Sequence, residues 1–280
     1  MRIANYEYSD KIGQGAFGTI YKGHNIRTGE QVVIKTEPLD VAFSSIKHES
    51  TILNILYSKN CRNIPPTYWY GTIDIPPSRA LVMPFYTESL DTFFLKNIRV
   101  ASNVMRSAIS ILESIHSKYV VHRDIKPANF MIHNDELILI DFGLASFYVD
   151  SEERHIRQAS PKKQHIIGTP KYASFHVHEG EEYSRRDDLI SILYVGLFFL
   201  HGTRLWSNVP PPPARNLDVE KSDILHPMNR WFGEQKTQKN ILDICQEWTA
   251  LSEFAERVYK ISFQERPSYR EYIELFAKTI

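Results

Sequence analysis

Cysteine is scarce in this chain, with only Cys61 and Cys245 among 280 residues. The two lie far apart and do not have the spacing of metal ligands, which argues against a disulfide scaffold and against a zinc site. We therefore expect an intracellular protein in a reducing compartment. The choice between cytoplasm and nucleus stays open, because Lys162 and Lys163 alone form too short a basic cluster for an import signal.

The chain also lacks an excess of charge of either sign and a long hydrophobic run. It carries 33 basic and 33 acidic residues, so no overall electrostatic attraction draws it to nucleic acid or to a membrane. Its N-terminal residues contain no apolar core of signal-peptide length. The longest apolar run, residues 189–200, is too short to span a bilayer and predicts a buried helix. We expect no direct nucleic-acid binding, no membrane partner and a monomer.

The most informative stretch is residues 120–143, VVHRDIKPANFMIHNDELILIDFG. It holds two carboxylates and one amide, those of Asp124, Asp141 and Asn129. Hard oxygen donors such as Asn129 and Asp141 suit Mg²⁺ that also binds phosphate oxygens. Asp124 is then left to accept a proton from a hydroxyl group. The alternative interpretation is a buried polar turn followed by a hydrophobic strand.

This stretch resembles the catalytic and magnesium-binding loops of protein kinases. HRD and DFG each occur often by chance, but HRDxKxxN followed by a strand-like run and DFG is a much rarer combination. The resemblance implies an α+β, bilobal fold with a small β-rich N-lobe, residues 1–86, and a mostly helical C-lobe, residues 87–280. It also implies ATP and Mg²⁺ as cofactors, protein substrates, and packing roles for His122 and Phe142.

A second motif, G-Q-G-A-F-G, places glycines at Gly13, Gly15 and Gly18. Glycine lets a hairpin backbone approach phosphates closely, with main-chain N–H groups as donors. Alone the motif is a weak signal, because a dinucleotide-binding turn or a plain hairpin has the same pattern. A dinucleotide-binding turn needs a helix after the last glycine, whereas β-branched Thr19 and Ile20 favour a strand. We therefore expect a phosphate-binding hairpin.

The strand-like residues 31–35 end in Lys35, which the resemblance places at the α- and β-phosphates. By itself, a lysine at a strand end is more often a solvated charge. Kinases hold this lysine with a glutamate on the next helix, and the helical pattern of residues 44–57 places Glu49 on a face with apolar residues. We therefore expect a Lys35–Glu49 pair. Glu37 is too close to Lys35 in the chain and is expected to be an exposed loop charge.

The resemblance also predicts an adenine site. Residues 64–70 and 80–83 are expected to form strands that lead to a hinge between the lobes at residues 84–86. Met83 is then the gatekeeper, and Tyr86 offers its backbone N–H to adenine. The other side chains expected at the nucleotide are those of Ile12, Ile20, Val33 and Met131.

The segments on either side of the catalytic loop also match the resemblance. A helix is predicted over residues 102–118, with Ser102 as N-cap, and it would brace the loop. Thr169, near the end of the activation segment, is expected to hydrogen-bond Asp124 and Lys126. Lys126 two residues after Asp124 is the arrangement of serine/threonine kinases, so the expected acceptor is a serine or threonine hydroxyl.

Residues 172–189 narrow the resemblance to the casein kinase 1 family. The usual A-P-E triplet is replaced by S-F-H at residues 174–176, and residues 184–189 are SRRDDL, the string that opens a long central helix in that family. The resemblance implies that Asp188 hydrogen-bonds the catalytic-loop backbone. Because the chain ends soon after a last predicted helix, residues 269–277, we expect a compact member without a regulatory tail.

Three functions fit these motifs. The leading hypothesis is an active serine/threonine kinase in which Lys35 and Lys126 counter phosphate charge. A pseudokinase that binds nucleotide or partners without catalysis is the alternative, and the complete set of catalytic residues argues against it. A small-molecule phosphotransferase is disfavoured by SRRDDL and by Gly168-Thr169, which are features of peptide-directed kinases.

The substrate preference expected from the family is for acceptors preceded by acidic or phosphorylated residues. Lys171 stands where the family has an anion-binding arginine, and Arg123 with Lys163 would form a second basic pocket. Lysine binds phosphate as a point charge without the two-pronged geometry of arginine, so we expect weaker selectivity. Asn208, in place of a glycine, would weaken it further. The alternative is that Lys171 and Lys163 are solvated loop charges.

Overall fold

The structure is a computed structural model that describes residues 2–15, 18–74, 76–92, 97–158, 164–202, 205–206, 211–212 and 221–278. It divides into a first unit, Met1–Glu88 with Met131–Leu144, and a second unit, Ser89–Phe130 with Ala145–Ile280. The predicted α+β class is confirmed, because an antiparallel sheet forms most of the first unit and helices form most of the second. Among the described helices, none combines the length and apolarity needed to cross a lipid bilayer.

A six-stranded antiparallel sheet forms the core of the first unit. Its strands are β1 Arg2–Ile3, β2 Tyr6–Gly15, β3 Gly18–Asn25, β4 Gln31–Pro38, β5 Trp69–Asp74 and β6 Pro77–Pro84. They are hydrogen-bonded in the order β1-β2-β3-β4-β6-β5. Alternate side chains of a strand share one face, and Val32 and Ile34 of β4 therefore pack with Ala80 and Val82 of β6 in one buried cluster.

The helix α1, Ser45–Ser58, packs beside this sheet and carries an acid on its buried face. Ser44 caps it by accepting a hydrogen bond from the Lys47 N–H over 3.1 Å. Ile46, Glu49 and Leu53 recur at helical spacing and are all buried. Glu49 is therefore directed into the unit and away from solvent.

Short strands and 3-10 turns connect the larger elements. The strands are β7 Glu88–Ser89, β8 Val120–Val121, β9 Phe130–His133, β10 Glu136–Leu139 and β11 Ser146–Phe147. β9 and β10 form a hairpin, and β8 pairs antiparallel with β11. The catalytic and magnesium-binding motifs predicted from sequence follow β8 and β10, so each is attached to the end of a strand.

The second unit is built around a helix that is buried on all sides. Its helices are α2 Ile98–His116, α3 Phe175–His178, α4 Arg185–His201, α5 Pro227–Gln235, α6 Gln238–Cys245, α7 Thr249–Val258 and α8 Tyr269–Ala277. Every residue of α4 from Arg186 to Phe199 is buried, which confirms the helix predicted from the apolar run. α2 and α7 pack against α4, and α8 packs against α2.

Two predicted elements begin four or five residues away from the predicted start. α2 begins at Ile98 and not at Ser102, because Asn97 is the N-cap and accepts hydrogen bonds from the N–H groups of the next turn. β5 begins at Trp69 and not at residue 64, because Pro65 and the proline after it lack the N–H that a strand ladder uses.

Glu37 was predicted to be an exposed loop charge, and the structure corrects this. It lies on β4, which continues to Pro38, and it is 1% exposed. Its carboxylate accepts hydrogen bonds from the Ser44 hydroxyl and from the Ile46 N–H at 3.4 Å, and Arg79 lies 3.8 Å away. An acid at a helix N-terminus is favoured by the helix dipole, so Glu37 helps to fix the start of α1.

Candidate active site

Lys35, Glu49 and Asp141 meet in the first unit. Lys35 Nζ is 2.8 Å from both carboxylate oxygens of Glu49 and 3.0 Å from Oδ1 of Asp141. The Phe142 N–H also donates to Glu49 Oε1 over 3.2 Å, so the ion pair is fixed to the segment that carries Asp141. The ammonium group of Lys35 is held by two carboxylates and is not a solvated charge at a strand end.

The charge state of Lys35 follows from these contacts. Burial alone lowers the pKa of a lysine, but the negative charges of Glu49 and Asp141, together with the hydrogen bonds to them, raise the pKa of Lys35 above its ordinary value. Lys35 therefore stays protonated at neutral pH and can neutralise an anionic ligand.

Asp141 has a backbone conformation that is uncommon outside glycine. Its φ is 69°, in the left-handed region, where strain is often associated with functional sites. β10 ends at Leu139, and the 3-10 turn Phe142–Leu144 begins with the fully buried Phe142. Between these anchors the Asp141 side chain remains 44% exposed. It therefore offers hard oxygen atoms of the kind that Mg²⁺ binds.

An apolar cavity of about 190 Å³ lies beside Lys35 and Asp141. The cavity is lined by all six residues that were expected to contact adenine, namely Ile12, Ile20, Val33, Met83, Tyr86 and Met131. Its lining also includes Pro84 and Phe85 of the expected hinge segment and two residues that were not expected, Pro65 and Ile140. Ile140 adjoins Asp141 in the chain, whereas Pro65 belongs to a segment that was predicted as a strand and is irregular up to residue 68. The mainly apolar walls suit a flat heteroaromatic ring.

The polar groups along one wall indicate where such a ring could form hydrogen bonds. Pro84 has no N–H, and the N–H of Phe85 donates to the Gln31 carbonyl oxygen over 3.2 Å. The N–H of Tyr86 is therefore the donor of this segment that we assign to a ligand.

The glycines of the G-Q-G-A-F-G motif lie at the turn of a hairpin. Gly13 and Gly15 belong to β2 and Gly18 begins β3, with Gly15 paired to Gly18. A side chain cannot be accommodated at Gly18, because its Cβ would lie 1.9 Å from the Thr36 carbonyl oxygen. A strand follows the last glycine, as predicted, so a dinucleotide-binding turn is excluded.

In the second unit, Asp124 is the centre of a hydrogen-bonded cluster. Lys126 Nζ lies 2.6 Å from Asp124 Oδ2 and 3.0 Å from Thr169 Oγ1. Thr169 donates to Asp124 Oδ1 from its N–H at 2.9 Å and from its hydroxyl at 2.7 Å. The Asp124 side chain is 8% exposed. Its carboxylate is thus oriented from several sides, as a proton acceptor requires.

Asn129 is oriented by the same cluster. It ends the 3-10 turn Pro127–Asn129, and its Nδ2 lies 2.8 Å from the Asp124 carbonyl oxygen and 3.3 Å from Asp124 Oδ2. Because the amide nitrogen points to Asp124, the amide oxygen points elsewhere and is the atom with the chemistry of a Mg²⁺ ligand.

The backbone around Asp124 is held in an uncommon conformation. Arg123 has a φ of 67°, and Asp188 accepts hydrogen bonds from the N–H groups of His122, at 2.8 Å, and Arg123, at 3.0 Å. Gly168 has a φ of 88°, and a Cβ there would lie 2.3 Å from the Arg123 carbonyl oxygen. Glycine is therefore required immediately before Thr169.

Asp188 connects this loop to three helices. It is fully buried near the start of α4 and also accepts from Tyr183 at 3.1 Å, while His116 Nε2 of α2 lies 2.9 Å away. His116 Nδ1 is 2.6 Å from the hydroxyl of Tyr269 on α8. Burial alone would raise the pKa of Asp188, but the hydrogen bonds and charges around it lower the pKa below its ordinary value.

Replacing Asp188 by alanine should lower the free energy of unfolding by roughly 3–5 kcal/mol, because several buried donors would lose their acceptor. Urea denaturation followed by circular dichroism measures this change. The matched control is Glu271→Ala, whose side chain is 64% exposed and which should change stability by less than about 0.5 kcal/mol. Equal unfolding midpoints for the two variants would contradict this account of Asp188.

The residues predicted to bind anions differ in their surroundings. Lys171 is half-buried, its Nζ lies 5.6 Å from the ring centre of Tyr172, and burial lowers its pKa. Burial also lowers the pKa of Arg123, which lies in the field of Asp188 and Glu182. Lys163 and Asn208 lie outside the described residues. Because the charges of Asp188 and Glu182 already act on Arg123, Lys171 is the stronger of the two described candidates.

Comparison with known proteins gives consistent matches. The family model described as "Protein kinase domain" matches residues 6–275. The chain is 30% identical to "Casein kinase I homolog 1" of Saccharomyces cerevisiae over 289 aligned positions, which cover 99% of this chain and 51% of that protein. It is also 30% identical to "Casein kinase I homolog 2" of the same yeast over 281 positions, which cover 96% and 48%. The chain thus spans about half the length of these curated relatives.

Proposed function

This chain belongs to the protein kinase family, and from that premise we propose that it is an ATP-dependent protein serine/threonine kinase. It would transfer the γ-phosphate of ATP to serine and threonine hydroxyls. The observation that carries the proposal is the contact of Lys35 with Glu49 and Asp141. A pseudokinase that binds only partners has no need of this contact, and one that binds nucleotide has no need of the carboxylate of Asp124 that Thr169 orients. Phosphoryl transfer depends on both.

The first unit supplies the nucleotide-binding groups in this proposal. The apolar cavity would hold adenine, and the Tyr86 N–H would donate a hydrogen bond to it. Lys35 would bind the α- and β-phosphates, and the main-chain N–H groups beside Gly13, Gly15 and Gly18 would approach them. Asp141 would be a Mg²⁺ ligand through its exposed carboxylate, and Asn129 is the second residue whose amide oxygen has the chemistry of such a ligand. When bound, Mg²⁺ neutralises charge on the phosphate oxygens.

The second unit supplies the groups that act on the acceptor. Asp124 would orient the substrate hydroxyl and take its proton on a carboxylate oxygen as the new O–P bond forms. The bond between the γ-phosphorus and the β–γ bridging oxygen breaks in the same step, and ADP leaves with that bridging oxygen. Thr169 and Asn129 hold that carboxylate, and Lys126 provides positive charge beside it. Most of the rate acceleration then comes from position and electrostatic stabilisation.

Incubation of the purified chain with ATP, Mg²⁺ and a peptide library tests this function directly. We expect Mg²⁺-dependent phosphate incorporation on serine and threonine and none on tyrosine, as determined by phosphoamino acid analysis. Nucleotide binding without transfer to any peptide would indicate the pseudokinase instead. Transfer confined to small hydroxyl compounds would indicate a small-molecule phosphotransferase.

The setting that we propose is intracellular, in the cytoplasm or the nucleus. Cys61 and Cys245 are both buried and are the only cysteines in the sequence, and this scarcity agrees with a reducing compartment. We propose that residues 1–280 act as one catalytic domain and as a monomer.

We also propose a preference for acceptors preceded by acidic or phosphorylated residues. Two of the relatives are named casein kinase I homologues, and Lys171 follows Thr169 by two residues. Thr169 contacts Asp124, so the cation of Lys171 is attached to the segment that reaches the catalytic carboxylate. A single lysine attracts an anionic side chain chiefly as a point charge.

Lys171→Ala should remove this preference. Wild type is expected to phosphorylate a peptide with phosphoserine three residues before the acceptor about tenfold more efficiently than the alanine peptide, and the variant less than about twofold. An aspartate peptide should lie between them, and high salt should reduce all differences. The exposed Lys260→Ala serves as control. Equal efficiency of wild type on the three peptides, or an unchanged preference in Lys171→Ala, would refute the assignment.

A further inference from the structure

Lys236 places an amine in the interior of the second unit. It is the C-cap of α5 and is fully buried. Its Nζ lies 2.6 Å from the carbonyl oxygen of Pro170, 2.6 Å from that of Ala173 and 3.0 Å from Nε2 of His178. The amine therefore has three hydrogen-bond partners. Two of them are main-chain carbonyl oxygens of the segment that follows Thr169.

The surroundings of Lys236 are unusual for a lysine. Its Nζ lies 5.0–5.6 Å from the ring centres of Tyr194, Trp206 and Phe232, and burial lowers its pKa well below the ordinary value. Within the described part of the chain, the contacts of the Lys236 amine are with carbonyl oxygens, a histidine nitrogen and ring faces, and not with a carboxylate. Burying an amine in this way is unfavourable unless its hydrogen bonds are made.

The second anchor of Lys236 is its own backbone. The hydroxyl of Tyr259 donates to the Lys236 carbonyl oxygen over 3.0 Å and lies 2.9 Å from the hydroxyl of Tyr194 on α4. Lys236 is thus fixed to the central helix at one end and to residues 170–173 at the other. The long side chain of Lys236 is therefore held in one orientation, because both of its ends are fixed by hydrogen bonds.

The two carbonyls that Lys236 holds flank the residue proposed to select the substrate. Lys171 lies between Pro170 and Ala173, and the N–H groups of Tyr172 and Ala173 donate to the Thr169 carbonyl oxygen at 2.8 and 2.9 Å. Fixing both carbonyls therefore fixes the direction of Lys171 and the turn that begins at Thr169.

We propose that Lys236 is a positioning residue for the peptide substrate: its amine holds the carbonyls of Pro170 and Ala173, and so sets the orientation of Lys171 against the acceptor peptide. This inference rests on the proposed kinase function. It assigns to Lys236 an effect on peptide recognition and none on nucleotide binding, which separates it from a residue that merely stabilises the fold.

Lys236→Met tests this role, because methionine fills a similar volume among aromatic rings but donates no hydrogen bond. We expect KM for a phosphoserine-containing peptide to rise about tenfold and its preference over the alanine peptide to fall. KM for ATP should change less than about twofold. Amide hydrogen exchange of residues 170–174 should become faster than in wild type. Lys236→Gln, which retains a donor, should be intermediate in each measurement and serves where the methionine variant does not fold.

Two controls separate positioning from stability. Lys239→Met makes the same change at an exposed lysine of α6 and should leave every value unchanged. Val258→Ala removes volume from a fully buried position of α7, so it should lower the melting temperature while leaving KM for the peptide unchanged.

An unchanged peptide KM in both Lys236 variants would overturn the inference, as would unchanged exchange of residues 170–174. A rise in peptide KM for Val258→Ala equal to that for Lys236→Met would also overturn it, because any loss of stability would then suffice. A wild type that phosphorylates no peptide would refute the proposed function instead, and the exchange measurement would still decide whether Lys236 holds the segment.

Discussion

Asp141→Asn is expected to reduce kcat/KM for phosphoryl transfer at least ~10³-fold while the protein remains folded. Asparagine has nearly the shape of aspartate but lacks the negative charge that binds Mg²⁺. The side chain is 44% exposed, so the change opens no cavity in the core. Steady-state kinetics on a serine peptide measure the loss, and circular dichroism and the melting temperature check the fold.

The matched control for this variant is Asp135→Asn. Asp135 lies in the exposed turn between β9 and β10 and also has a positive φ, of 61°, so the same chemical change is made on the same hairpin. It should leave activity within about twofold of wild type. Full activity of Asp141→Asn would contradict the assignment of Asp141 as a magnesium ligand.

Lys35→Met should abolish transfer for a related reason but should also destabilise the protein. It removes the positive charge that we assign to the phosphates, and it leaves Glu49 buried without its partner, which costs about 3–5 kcal/mol. Loss of activity in a protein with a lowered urea midpoint is the expected pair of results. Activity lost only because the chain is unfolded would leave Asp141→Asn as the decisive variant.

The parts of the molecule that follow from sequence are those with strong local patterns. The apolar run of α4 and the helical period that directs Glu49 inward are visible without a structure, because burial and periodicity are properties of the chain itself. The start of α2 is not determined in this way, since Asn97 and Ser102 are both good N-caps. Only the packed structure shows which one lies at the end of the helix.

Contacts between buried charged side chains and residues distant in sequence are the main feature that sequence does not reveal. Glu37 and Lys236 are charged side chains near the ends of elements, where a solvated position is the usual expectation. Their burial depends on residues distant in sequence, Arg79 for Glu37 and Pro170 for Lys236. A local pattern contains no information on such partners, so these two roles could not have been predicted.

The second large effect is expected for Asp124→Asn, which should lower kcat about 10²–10⁴-fold, the usual range for loss of a general base. The Kd for ATP should stay within about threefold. The cavity that we assign to adenine and the lysine that we assign to the phosphates, Lys35, both belong to the first unit, and Asp124 does not. Isothermal titration with ATP and single-turnover kinetics on a serine peptide separate the two quantities.

The contacts of Asp124 determine how this variant must be interpreted. Asn can still accept from Thr169 on the side of Oδ1, but its amide nitrogen would face Lys126, which lies 2.6 Å from Oδ2 in the native protein. The amide NH₂ of the introduced asparagine and the ammonium group of Lys126 are both hydrogen-bond donors and cannot bond to each other, so Lys126 is expected to move. Lys126→Ala combined with Asp124→Asn should consequently lose little more activity than Asp124→Asn alone.

Asp243→Asn, at an exposed position of α6, is the control for Asp124→Asn and should keep both kcat and the Kd for ATP. Because a proton acceptor acts on the acceptor hydroxyl and not on the nucleotide, the proposed role requires the loss to fall on kcat. A large loss of ATP affinity with unchanged kcat would show that Asp124 serves the nucleotide. A variant with full kcat would show that the hydroxyl proton leaves by a route that does not include Asp124.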